Sequence, residues 1–177
     1  MTSPRICRIG VFFLLCVLVI GADAALAQDA TSTPTAEDHM ESGLAYYDQH
    51  EYAQAVADFT QTIELNPDSA EAHNRRGLAY YWSNEYEQAI ADFDRAIELD
   101  PEFAEAYANR ANAYRRSGNL DQAFADANTA LDIDVDLVEA YRARGLAFAE
   151  RNETDLALTD LNHALEIDPD YALAYCP

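Results

Sequence analysis

A repeat of 34 residues constrains this chain more than any other feature. Blocks opening at Ala36, Ala70, Ala104 and Val138 superimpose without a gap through residue 171. The eighth place holds Gly43, Gly77, Ala111 and Gly145, and the twentieth holds Ala55, Ala89, Ala123 and Ala157. The eleventh carries a ring every time, as Tyr46, Tyr80, Tyr114 and Phe148. A period this long excludes a core assembled from unlike elements, because each block must bury its apolar face on copies of itself.

Within a block the spacing is helical. Ala89, Ile90, Phe93, Ala96 and Ile97 recur at three- and four-residue steps, which predicts a second helix with one buried face, and Leu78, Ala79 and Tyr80 do the same for a first. Small side chains at places 8 and 20 let two antiparallel helices approach closely, with the ring at place 11 filling the space beside them. Asn84, Ser117-Gly118-Asn119 and Asn152 are suited to end the first helix and cap the second. Asn66-Pro67, Asp100-Pro101 and Asp168-Pro169 put a capping side chain before a Pro that can begin a helix. The expected class is all-α.

The period and its Gly/Tyr/Ala/Phe/Pro pattern resemble the tetratricopeptide repeat. That resemblance implies a right-handed superhelical α-solenoid of antiparallel helix pairs, with repeats at 36–69, 70–103, 104–137 and 138–171 and a truncated fifth beginning at 172–177. The third block departs most: Ala111 replaces Gly, Val135 replaces Pro, and Ala127 stands where the others have Phe59, Phe93 and Leu161. Phe124, where the others have Val56, Ile90 and Leu158, predicts that the large ring has moved by one turn with core volume kept.

The first 27 residues read as a secretory signal. Arg5 and Arg8 precede an apolar run from Val11 to Ile20, and Ala25-Leu26-Ala27 makes a small-residue cleavage site. Export to the periplasm or the extracellular space is expected, with an uncleaved membrane anchor as the alternative. Residues 28–35, QDATSTPT, read as a disordered tether. Cys7 and Cys16 fall in the signal, so Cys176 is the one mature thiol, available for an intermolecular disulfide in an oxidising compartment.

The chain has 32 acids against 11 bases, all Arg, for a net charge of −21, which turns away nucleic acid and anionic lipid beyond the signal segment. No phosphate-cradling Gly loop or nucleophile motif occurs, His39 and His73 sit at equivalent places suited to core-edge filling, and no cofactor, metal or catalysis is expected. Arg76, Arg110 and Arg144 at place 7 track Asp58, Asp92, Asp126 and Asp160 at place 23, which predicts pairing between the two helices of a block. Ser42 lacks the charge, so the first block should miss this link.

The resemblance also implies that places 2, 5, 9, 12 and 13 face a concave surface. In the first two blocks this yields Leu44, Tyr47, Leu78, Tyr81 and Trp82, an aromatic and apolar half. The next two supply Asn112, Arg115, Arg116 and Arg142, bordered by Asn109 and Asn74. Such a floor suits a protein or peptide segment offering an apolar side chain and then a carboxylate. The arginines could instead offset the acidic edge of Glu37, Glu71, Glu105 and Glu139 at place 2. The family's carboxylate clamp is not reproduced, since Glu139 and Ala143 stand where it needs bases. The expected function is a non-catalytic interaction scaffold, and the alternative is a structural element that oligomerises, as a homodimer for instance, through an uncapped C-terminal hairpin.

Overall fold

The computed structural model describes residues 33–170, so the signal-like segment, residues 171–177 and Cys176 lie outside the described residues. Among those described there are eight α-helices. They are α1 (Ala36–Asp48), α2 (Tyr52–Leu65), α3 (Ala70–Trp82), α4 (Tyr86–Leu99), α5 (Ala104–Arg116), α6 (Leu120–Ile133), α7 (Val138–Glu150) and α8 (Thr154–Ile167). Each odd helix packs most extensively on the even helix that follows it, and each even helix packs on the next odd one. The result is an α-solenoid of helix pairs, whose odd helices all have 13 residues and whose even helices all have 14.

The turns repeat as strictly as the helices. His50, Asn84, Gly118 and Asn152 occupy the same place in successive hairpins, and all four have positive φ, between 62° and 85°. The left-handed conformation closes each odd helix there, which Gly and Asn adopt most readily. Sequence reasoning singles out Asn84, Gly118 and Asn152 but not His50. The even helices then start at Glu51, Glu85, Asn119 and Glu153 with no side-chain cap, so the asparagines end one helix without capping the next. The Asp-Pro pairs also differ from expectation. Asp100 and Asp168 close the preceding helix, each accepting from the backbone N–H two residues on at 3.1 and 3.0 Å, and the adjoining Pro sits in the turn. Asp134 makes the same bond to Asp136 without a Pro, which shows that the carboxylate sets this turn. Caps at odd-helix starts come instead from Thr35, in a capping box with Asp38, and from Ser69.

Place 8 and place 24 form one packing unit. A methyl group on Gly43 would stand 2.6 Å from the Phe59 ring, one on Gly77 would stand 2.6 Å from the Phe93 ring, and one on Gly145 would stand 2.9 Å from Leu161. Phe59 and Phe93 are wholly buried in this way. In the third hairpin the ring is gone, and Ala111 with Ala127 fills the contact, joined by Ala143 of the next hairpin. The two departures of this block are therefore a single compensated exchange. The ring displaced by one turn to Phe124 packs against Phe148 at 4.7 Å and under the Arg151 guanidinium at 4.6 Å, across the junction to the fourth hairpin.

The alanines of this region change how the odd helices meet. Ala104, Ala108 and Ala140 pack together with Ala130 and Leu137, and α5 lies directly along α7. By contrast α1 barely touches α3, and α3 barely touches α5, where Leu44, Tyr47, Leu78 and Tyr81 stand between them and their even helices. Side-chain volume thus sets the spacing of neighbouring helices.

Arg76, Arg110 and Arg144 each grip the carboxylate of Asp92, Asp126 and Asp160 with two nitrogens, at 2.7–2.9 Å. A third nitrogen of each reaches back to the previous even helix, to Thr60 at 3.2 Å, Asp94 at 2.6 Å and Asn128 at 2.7 Å. One side chain thereby joins three helices. Burial opposes the Arg110 charge, but its bonds to Asp126 and Asp94 outweigh that and hold its pKa above the ordinary range. The first hairpin keeps the link without an arginine: Ser42 donates to Asp58 at 2.6 Å, and His39 Nδ1 lies 3.1 Å from the same carboxylate. His73 does likewise with Asp92, at 3.3 Å, so the two histidines serve the network rather than simply filling the core edge.

Ala127→Phe alone should destabilise the fold by about 1–3 kcal/mol, whereas Ala127→Phe with Ala111→Gly should recover most of the loss, a coupling that a double-mutant cycle in urea would measure. Replacing Arg110 by Met should cost about 3 kcal/mol in the same assay and exceed the same change at Arg76 or Arg144, because Asp126 and Asp94 would both be left facing no cation.

Candidate functional site

A groove of about 280 Å³ opens on one side of the solenoid, and every described lining residue comes from an odd helix. Tyr47 enters from α1; Asn74, Arg75, Leu78, Tyr81 and Trp82 from α3; Glu105, Asn109 and Asn112 from α5; Glu139 and Arg142 from α7. It lies where α1, α3 and α5 are held apart, and it ends against the close α5–α7 seam. Helical spacing explains the selection, since Asn74, Leu78, Tyr81 and Trp82, and likewise Glu105, Asn109 and Asn112, repeat at three- and four-residue steps on one face.

The aromatic end is built from ring-to-ring contacts. Tyr81 and Trp82 meet at 5.3 Å between centroids with planes at 84°, and Tyr81 also touches Tyr86 at 5.8 Å. Trp82 keeps 41% of its surface exposed, a large apolar area at the groove rim. The amide end holds two buried groups, Asn74 and Asn112, with the half-buried Asn109 between them in sequence. Asn109 Nδ2 donates to Asn74 Oδ1 at 3.0 Å across α5 and α3, and Asn112 Nδ2 donates to the Ala108 carbonyl at 3.0 Å. Asn112 is 4% exposed, and its Oδ1 meets no donor among the described residues.

Of the residues expected on the binding face, Tyr47, Asn74, Leu78, Tyr81, Trp82, Asn109, Asn112 and Arg142 line this groove together. Leu44, Arg115 and Arg116 do not. Leu44 packs inward on the cluster of Ala55, Phe59 and Ala79. Arg115 is paired with Glu150, one hairpin further on. Arg116 bonds the Tyr86 hydroxyl at 3.0 and 2.9 Å, and its guanidinium lies 5.5 Å from the centroid of the same ring. Places 12 and 13 point inward in the second hairpin but are drawn aside in the third, because acceptors there can reach a long guanidinium. Three lining residues went unassigned: Arg75, Glu105 and Glu139. Their signal was present, since both acids occupy an inward-facing second place and Arg75 shares its place with Asn109. Arg75 is bonded to Glu71 at 2.5 Å. Among the described residues no group of three or more potential ligands could hold a metal ion, and no helix is long and apolar enough to cross a membrane.

Comparison with known proteins bears on the same architecture. Models of the tetratricopeptide repeat match residues 70–103 and 93–125, and a related repeat model matches residues 43–82. No curated protein matches the chain. Among solved structures, a crystal structure of MamA is similar at 27% identity and a TM-score of 0.66, covering 85% of this chain and 86% of that one. The protein TTC0263 of Thermus thermophilus, a thermophilic protein of this repeat type, is similar at 20% identity and a TM-score of 0.72, covering 76% and 75%. The first repeat domain of Spaghetti (RPAP3), bound to the HSP90 peptide SRMEEVD, is similar at 21% identity and a TM-score of 0.64, covering 69% and 97%. Periodic sequence, serial helix pairs and matching family models agree that this chain carries tetratricopeptide repeats.

Proposed function

We propose that the groove receives an extended protein segment, which makes the chain a non-catalytic interaction scaffold. The observation that carries this reading is the exposed Trp82, stacked edge-on against Tyr81 at the mouth of a groove whose floor is amide-lined. A large ring held at low conformational cost beside buried polar groups is the usual anchor of a protein interface. The fold itself is one in which repeats serve protein interaction, and the Spaghetti domain of similar fold holds a peptide. Arg115 and Arg116, expected to meet a partner carboxylate, are held outside the groove.

A second reading has one observation in its favour. On α8, Leu158 and Leu165 are 53% and 41% exposed, whereas the equivalent Val56, Ile90 and Phe124, and Ile63, Ile97 and Leu131, are half-buried by the following helix. That face supports self-association through the last hairpin. Peptides selected on the full chain from a random library should bind Trp82→Ala at least about tenfold more weakly, with helicity unchanged. Equal binding to that variant would place recognition elsewhere. A molar mass that rises with concentration, and falls back in a Leu158→Glu variant, would favour the second reading.

A further inference from the structure

We infer that Asn152 is an acceptor site for an N-linked oligosaccharide, carried at the turn of the fourth hairpin. The inference is independent of the groove and rests on the export expected from residues 1–27, because the sugar donor is presented only on the far side of a membrane. The chain has nine asparagines, and Asn152-Glu153-Thr154 is the one place where an Asn is followed two residues on by Ser or Thr with no Pro between. Such a triplet serves only on an exposed loop, so its position in the fold decides whether it can be used.

The position meets that demand. Asn152 lies between α7 and α8 with a φ of 64°, and Asn152, Glu153 and Thr154 are all exposed. In the first two hairpins the fold engages the equivalent side chain. His50 Nδ1 lies 3.0 Å from the Tyr52 hydroxyl, and Asn84 Oδ1 accepts from the Tyr86 hydroxyl at 2.7 Å. The fourth hairpin has Thr154 in the place of that Tyr, and neither the Asn152 amide nor the Thr154 hydroxyl has a partner among the described residues. Gly118 in the third hairpin shows that the turn asks for a positive φ here and for no side chain at all. The Asn152 amide can therefore be substituted without breaking any side-chain bond of the fold. An Asn side chain turned back over the residue two further on brings its amide beside a Thr hydroxyl, the pair that a transferase reads together.

In the transfer, Asn152 Nδ2 attacks the anomeric carbon of an oligosaccharide held on a lipid pyrophosphate. A C–N bond forms, the C–O bond to the pyrophosphate breaks, the lipid pyrophosphate leaves with the electron pair, and one amide proton passes to solvent. The substituent is bulky and solubilising, and no residue of this turn lines the groove.

The full chain is translated into endoplasmic-reticulum microsomes twice, once with its own first 27 residues and once with a proven cleavable signal in their place. Both products should gain one glycan, seen as a slower band that peptide N-glycosidase returns to the unmodified position. After that treatment the tryptic peptide following Arg151 should begin with aspartate, read by its mass. Asn152→Gly should lose the slower band while the thermal midpoint of the unmodified protein does not fall, since Gly118 already occupies an equivalent turn. Thr154→Val should lose the band as well and Thr154→Ser should retain it, a pattern that a structural role of the turn would not produce. An unshifted chain behind the proven signal overturns the assignment at the acceptor itself. A shift behind the proven signal alone also overturns it, because the chain on its own start never meets the donor. A band that survives Asn152→Gly places the sugar elsewhere and overturns it too.

Discussion

The structure depends on how closely two helices of a hairpin can approach at one point. In three hairpins a missing Cβ admits a Phe or Leu side chain from the facing helix, and in the remaining one two alanines meet instead. Either solution brings the backbones together at the same register, so the repeats stack in series even though one has exchanged its packing. The arginine of place 7 then locks that register, because its fork fits one carboxylate in its own hairpin while the remaining nitrogen finds the previous one. Packing sets the distance, and the guanidinium ties each of these hairpins to the one before it.

The groove is a by-product of where this packing is loose. Bulky residues between α1, α3 and α5 hold those helices apart, and their partly exposed surfaces become the wall of a cleft. Alanines between α5 and α7 close the ladder at the other end. Function in such an architecture therefore resides in the side chains that a repeat leaves variable, while the invariant places hold the frame.

Much of this was legible in the sequence. The period predicts the helices, the hairpins and the pairing of place 7 with place 23, because each depends on local spacing and on copies of one contact. Most of the proposed site residues, from Tyr47 through Asn74 and Trp82 to Arg142, fall on the groove for the same reason. Leu44, Arg115 and Arg116 escape the pattern because long or apolar side chains choose among neighbours three-dimensionally: Glu150 lies 35 residues from Arg115 and Tyr86 lies 30 from Arg116. The double duty of Arg76, Arg110 and Arg144 was equally hidden, since a period reveals that charges recur but not that a third nitrogen crosses to the preceding hairpin. The orphaned oxygen of Asn112 has no sequence signature at all, being a property of what fails to surround it.

The alanine seam between α5 and α7 has a mechanical consequence. Helices in contact along their length resist bending more than helices separated by long side chains, so compliance in this array is greater before α5 than after it. A guest docking across the cleft would meet a yielding jaw on α1 and α3 and a stiffer wall on α5 and α7, and adaptation to guests of different girth would come from displacement of α1 and α3.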